Sequence, residues 1–266
     1  MEIKKIDSKI LLLLFFFILI DPIIINWLFK VQFFKPLVVA TNFYIQSTLI
    51  AGTINLFIVS IVIFYFGRLD LSSVWFTREK VKQAALPLIG IWIGAHVIII
   101  MITLFGGGRI ILIDKFNLSL GRFLGQLFGN APFEELVFRG VLFLQIYLLL
   151  KVKMKSRAAL ILALLISQFL FAFAHVPNRI WINQVDNLFL ETLGLYGAGI
   201  GLTLIFIQTQ NLAFLIGIHA LANMPFIIVR APSSLTYNIT YVLIVFCALL
   251  WRKITPASNK LLLLFL

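Results

Sequence analysis

Eight apolar stretches, at about residues 10–29, 43–66, 84–104, 129–150, 158–174, 188–207, 212–229 and 235–251, constrain this chain more than anything else in it. Each is close to the roughly 20 residues an α-helix needs to cross a hydrocarbon core. Hydrophobic residues fill 62% of the 266 positions, charged residues only 12%, and mean hydropathy is +1.07, outside the range of soluble globular proteins. The expected fold is all-α, a polytopic transmembrane bundle of about eight helices. It forms one integral-membrane domain over residues 1–266, with no soluble domain, long linker or low-complexity tail.

The first stretch follows Lys4, Lys5 and Lys9, as a signal peptide would, but Asp21-Pro22 interrupts it and no small-residue cleavage site follows. It reads as a retained helix. Cys247 is the single cysteine and cannot form an intramolecular disulfide. In a soluble protein the net charge of +12 would suggest nucleic acid. Here the basic residues fall at helix ends, so membrane topology accounts for them and no nucleic-acid partner is expected. With the amino terminus inside, 14 Lys and Arg, among them Arg68, Lys155 and Lys260, fall on that side. Seven fall on the other, and Arg139 within a helix completes the 22. Both termini are expected in the cytoplasm and the location is expected to be a bacterial plasma membrane.

Two connections exceed a simple turn. Residues 71–82 mix Trp75, Phe76 and Val81 with charges, as an interfacial helix would. Residues 105–128 contain Gly106-Gly107-Gly108 and read as an amphipathic or re-entrant piece or as a surface loop; no Gly-Lys-Ser/Thr follows to make a phosphate loop. Gly197 and Gly201 have G-x-x-x-G spacing, which predicts close helix packing. No inverted repeat is visible, which weighs against a transporter.

Charge in lipid is costly unless it meets a partner or a water-filled cavity, so Glu134-Glu135-x-x-x-Arg139 is the chemically informative segment. Asn130, Ala131 and Pro132 precede it as a capping Asn and a first-turn Pro would, which predicts a helix start and a helix dipole that favours ionised carboxylates. Glu135 and Arg139 can pair along one face, while Glu134 points about 100° away toward another partner. The bland alternative is a buried ion pair with one spare acid. Two of the three histidines stand in matching patterns on separate helices, Phe171-x-x-x-His175 and His219-x-x-x-Asn223.

Taken in order, Glu134-Glu135-Leu136-Val137-Phe138-Arg139, Phe171-Ala172-Phe173-Ala174-His175 and His219-Ala220-Leu221-Ala222-Asn223 resemble the three motifs of the CAAX protease and bacteriocin-processing (CPBP, or Abi) intramembrane proteases, relatives of the type II CAAX prenyl endopeptidase. The motif-bearing core spans about 126–229, and the amino-terminal half is similar only in hydropathy. The resemblance implies an intramembrane endopeptidase acting on a membrane-associated protein or peptide. Glu134 would activate water with His175 as its partner, His219 and Asn223 would form an oxyanion hole, and Glu135 and Arg139 would support the glutamate.

The same residues admit a second chemistry in which Glu134, His175 and His219 bind Zn²⁺; without a His-Glu-x-x-His segment the metal-free reading is preferred and no cofactor is favoured. The alternative function is a non-proteolytic relative, acting in bacteriocin immunity or as a binding partner at the cell surface. The predicted topology puts Glu134 and His175 toward the outer half of the membrane and His219 near its middle, an offset on the order of 10 Å along the helix axes. Asn26, Asn55, His96, Asp186 and Glu191 are further polar candidates read as packing or interfacial groups, with Glu191 also a candidate partner of Arg139 or a substrate-facing group. Partners other than lipid and a peptide substrate, and the oligomeric state, stay open.

Overall fold

The computed structural model describes residues 4–255; Lys260, counted above among the cytoplasmic cations, lies outside the described residues. Backbone in lipid has to satisfy its own N–H and C=O groups. Among the described residues it does so with helices throughout, the sole β pairing being an isolated bridge between Leu112 and Val229. In order, the elements begin with α1 (Ser8–Lys30), the short α2 (Lys35–Ala40), α3 (Ser47–Ser60, running on through a wider π turn, Ile61–Phe66) and α4 (Arg78–Phe105). A continuous helical path then covers 116–151: α5 (Phe116–Gly125), a π segment (Gln126–Asn130), α6 (Ala131–Glu134), a second π segment (Glu135–Phe143) and α7 (Leu144–Lys151). The rest are α8 (Ser156–Ala174) with its continuation α9 (Val176–Asn178) and a π turn (Arg179–Asn183), α10 (Leu188–Thr209), α11 (Leu212–Asn223) and α12 (Ser233–Ile254).

Among the described residues six helices are long and apolar enough to cross a membrane, Ser8–Lys30, Ser47–Phe66, Ser72–Phe105, Ser156–Asn183, Leu188–Thr209 and Ser233–Ile254. The protein is an integral, multi-pass, all-α bundle. The two remaining expected spans differ from the prediction. The fourth begins at Phe116, not near Gly129, so of the two readings of residues 105–128 the second half of the connection follows the helical one. The seventh, α11, has 12 residues, about 18 Å of helix, against a core about 30 Å thick. Beyond Asn223 the chain runs extended toward Pro232, and Ile113 N–H to Ile228 O (3.1 Å) and Arg230 N–H to Ile111 O (2.7 Å) tie that run to the connection after α4.

Asn130 does not cap a helix. Its φ and ψ are −69° and −53°, inside the helical path. Pro132 is accommodated because the preceding turn is already wide: the Ala131 N–H bonds Gln126 O, five residues back, in the register of a π segment. With helix before it as well as after it, Glu134 gains nothing from a helix amino terminus.

This path is pressed against α3 by glycines spaced four apart. A Cβ on Gly121 would strike the Phe43 carbonyl, one on Gly125 the Thr48 hydroxyl, and one on Gly129 the Thr48 carbonyl; on the facing helix, Gly52 abuts the Gly129 backbone. Close backbone approach of this kind supplies van der Waals contact where lipid offers no hydrophobic drive. Gly197 and Gly201 do not behave this way: a Cβ on either meets nothing within 4 Å, and Gly199 is the close-packed glycine of α10.

Residues 71–82 also differ from the interfacial helix expected. Only Ser72–Val74 form a 3₁₀ turn, and Trp75, 4% exposed, is buried edge-on against Phe206 with ring centroids 5.3 Å apart. Its carbonyl accepts the Leu212 N–H, and the Lys80 carbonyl accepts the Asn211 amide. The start of α11 is therefore recessed beneath this segment. Lys4 donates to the Arg68 carbonyl, and Gln145 clamps Lys4 O and the Ile6 N–H at 2.9 Å each, placing these residues at one end of the bundle. Trp251 packs on Phe214 at 4.3 Å, one turn into α11, so the described chain finishes at the end where it starts.

Candidate active site

Glu135 and Arg139 form the predicted ion pair, Arg139 Nη1 to Glu135 Oε1 at 3.0 Å, with both side chains fully buried. The guanidinium is further held by the Thr203 hydroxyl and the Gly199 carbonyl, each at 3.4 Å, and lies 4.2 Å over the Phe171 ring. A cation with this many partners in a dry core is fixed in place. Gly199 is required here, because a Cβ would come within 2.8 Å of Gln168 Oε1 and 3.4 Å of Arg139 Nη2.

His219 connects the pair to the second glutamate. Its Nδ1 lies 2.5 Å from Glu135 Oε1 and its Nε2 3.6 Å from Glu134 Oε2. Since Glu135 Oε1 also receives Arg139, it acts as a carboxylate acceptor and Nδ1 donates to it. His175 is oriented from its own helix: Nδ1 donates to the Phe171 carbonyl at 2.8 Å, leaving Nε2 3.4 Å from Glu134 Oε1. Phe171 thereby does three things, with its carbonyl fixing His175, its ring lying under Arg139 and its edge meeting Phe138 at 5.2 Å.

The expected offset in depth between these groups does not occur. Glu134 lies midway along the 116–151 path, and the recessed start of α11 carries His219 to the same level. Asn223 is also present, one turn beyond His219, exposed to the cavity and donating to Gln126 Oε1 at 3.1 Å.

Glu134, His175, His219 and Asn223 all line a cavity of about 810 Å³. Phe29, Thr48 and Asn183 line it too, so it opens at the end of the bundle opposite Lys4. Glu134 is 6% exposed and accepts one hydrogen bond, from Asn130 Nδ2 to Oε1 at 2.7 Å, while its Oε2 is buried without a hydrogen-bond partner. Glu135 Oε2 is unpartnered as well, but Glu135 is fully buried beside Arg139.

A tetrahedral zinc would need both imidazole Nε2 atoms and a Glu134 oxygen around one point at about 2.0–2.1 Å. Among the described residues no three His, Cys, Asp or Glu side chains are grouped to hold a metal ion. Glu134 instead lies between the two rings, Oε1 toward His175 and Oε2 toward His219.

The other polar candidates lie elsewhere or have other partners. Glu191 pairs with Arg179 at 3.6 Å, not with Arg139. His96 is a packing group: Nδ1 donates to Trp92 O at 2.8 Å, Nε2 accepts the Ile228 N–H at 3.1 Å, and its ring lies on Trp92. Asp186 is exposed. Asn55 donates to Asp21, and Asn26 accepts from Asn178, each at 2.8 Å and each in the cavity wall. Gln126 is absent from the sequence candidates and Asn130 enters there only as a helix cap, although Gln126, Asn130 and Glu134 form a polar stripe at intervals of four in an apolar run.

A family model described as type II CAAX prenyl endopeptidase Rce1-like matches residues 116–225, which begin with α5 and include all three motifs. Neither the curated proteins nor the solved structures contain a match to this chain. Over residues 116–225 the chain is similar to the type II CAAX prenyl endopeptidase Rce1-like family, and the similarity contains the glutamate pair, Arg139, His175, His219 and Asn223.

Proposed function

We propose that the protein is an intramembrane endopeptidase in which Glu134 activates water against a peptide carbonyl. The observation that carries this reading is the environment of Glu134: a buried carboxylate on the cavity wall, flanked by two imidazole nitrogens, with no Lys or Arg among the described residues paired to it as Arg139 is to Glu135. Glu134 takes a proton as water oxygen bonds to the carbonyl carbon. The oxyanion that results is met by the second N–H of Asn223, whose first is held by Gln126, and by His219 when its Nε2 carries hydrogen. Glu134 then returns the proton to the amine as the C–N bond breaks. His175, when its Nε2 carries hydrogen, keeps the carboxylate in place, and Glu135 with Arg139 keeps His219 in place.

The substrate class is a membrane-associated peptide or protein that enters from the end of the bundle opposite Lys4. If both termini are cytoplasmic, as the charge asymmetry supports, this is the outer face, which prenylated cytosolic substrates do not reach. The test is proteolysis by purified protein in lipid. Wild type is expected to cut, to remain active after exhaustive chelation and to carry less than stoichiometric Zn²⁺. Activity lost with the metal and regained on its return would replace the mechanism and keep the protease. Wild-type biological activity in a well-expressed Glu134→Gln variant would favour a binding or immunity role instead.

A further inference from the structure

Asp21 has no part in that chemistry, yet it lines the same cavity. It lies in the carboxyl-terminal half of α1, and its Oδ2 accepts from Asn55 Nδ2 at 2.8 Å, the one hydrogen bond to its carboxyl group among the described residues. Phe17, one turn earlier on α1, meets Phe133 edge-on at 6.3 Å between ring centroids. Asp21 is thus about one helical turn, ~5.4 Å, along α1 from Phe17, the residue that meets the sequence neighbour of Glu134.

On its own helix Asp21 is flanked in the cavity wall by Ile18, Pro22 and Ile25, and elsewhere the wall carries further apolar side chains, Leu202 and Ile205 of α10 and Ile244 of α12. Charged residues in the cavity wall are two carboxylates, Asp21 and Glu134, and one guanidinium, Arg179, which already pairs with Glu191. The cavity is therefore short of cations. A carboxylate in apolar surroundings is costly until a cation meets it, and a long aliphatic stem with a charged head suits such a slot. A clamp between α1 and α3 would explain the Asn55 contact alone; it would not explain why the acid faces the cavity.

We propose that Asp21 is a substrate-recognising residue that receives the side chain of a lysine or arginine near the bond to be cut. The word "cut" rests on the protease reading; recognition of the cation does not. The probes are fluorescent apolar peptides with one lysine at successive positions, each paired with a norleucine counterpart that lacks only the ammonium group. Binding is measured on full-length Glu134→Gln protein in detergent micelles, where no turnover is needed.

For at least one position the lysine peptide is expected to bind about tenfold tighter, the scale of a desolvated charge-assisted hydrogen bond. The difference is expected to vanish in Asp21→Asn and to persist in Asp21→Glu, which guards against misfolding of the first variant. Equal affinities at every position, or a preference unchanged in Asp21→Asn, would overturn the proposal. Asp21-dependent lysine binding in a protein whose wild type cuts none of these peptides would sink the protease reading and keep the recognition. Cleavage indifferent to lysine would do the reverse.

Discussion

Glu134 and Glu135 are neighbours in sequence and occupy opposite kinds of site. Glu135 faces a dry interface, where Arg139 neutralises it and His219 takes up the same oxygen. Glu134 faces a cavity with an Asn130 hydrogen bond, two imidazoles and, among the described residues, no ion-paired Lys or Arg. The difference teaches that the first acid secures the geometry of the second. A buried pair such as Glu135–Arg139 adds little net stability over an apolar substitute, but it fixes where its members point.

The sharpest way to break this comparison is to exchange the damage. Arg139→Met leaves Glu135 buried and uncompensated and is expected to destabilise the fold by about 3–5 kcal/mol. Glu134→Gln is expected to leave thermal unfolding in detergent close to wild type while abolishing turnover. Equal loss of folding in both variants would mean that the two acids do the same job. Asn223→Ala tests the open side next: kcat is expected to fall about 10²–10³-fold, with the protein still folded. A change confined to KM would remove Asn223 from the oxyanion site.

Smaller effects are expected farther from the chemistry. Gly129→Val pushes a side chain into the Thr48 carbonyl and is expected to cost about 1–3 kcal/mol by overpacking, while Gly197→Ala, with open space around it, is expected to be neutral. The smallest effect belongs to the exposed turn before α4, at the far end from the cavity. Hydrogen bonds from Ser72 and then Ser73 hold the Asp70 carboxyl at about 2, below its ordinary 3.8. Its contribution is therefore present above about 3.8 and lost as pH falls through about 2. Between those values the melting temperature of wild type is expected to drop slightly more than that of Asp70→Asn.

Much of the site was legible because its residues are out of place: two acids, an arginine and two histidines in an apolar chain have few reasons to be there. The i,i+4 spacing of Glu135 and Arg139 was enough to pair them. The start of their helix was not legible, since Asn130 followed by Pro132 is a genuine start signal and a π register makes it compatible with a helix interior. The packing glycines were missed for a related reason: Gly121 and Gly125 lie in a connection read as an amphipathic piece or a loop and Gly129 at the start of the next span, so their four-residue spacing was split across a boundary. The short reach of α11 could not be read from hydropathy, because the extended run after Asn223 is as apolar as helix. Thr203 and Gly199 hold Arg139 from a distant part of the chain, with no local pattern to announce them.

The π segment ahead of Glu134 also makes residue count part of the site. From the glycines anchored on α3, the backbone must include one additional residue before the acids arrive in phase with His175 and His219. Take one residue out between Gly125 and Asn130 and every side chain downstream advances by one place, about 100° of rotation. Glu135 would then stand where Glu134 stands, Leu136 would fill the place of the acid that meets Arg139, and the arginine itself would move to the position of Phe138. The helix works as a vernier, in which one unit of length selects which of two adjacent acids faces the cavity.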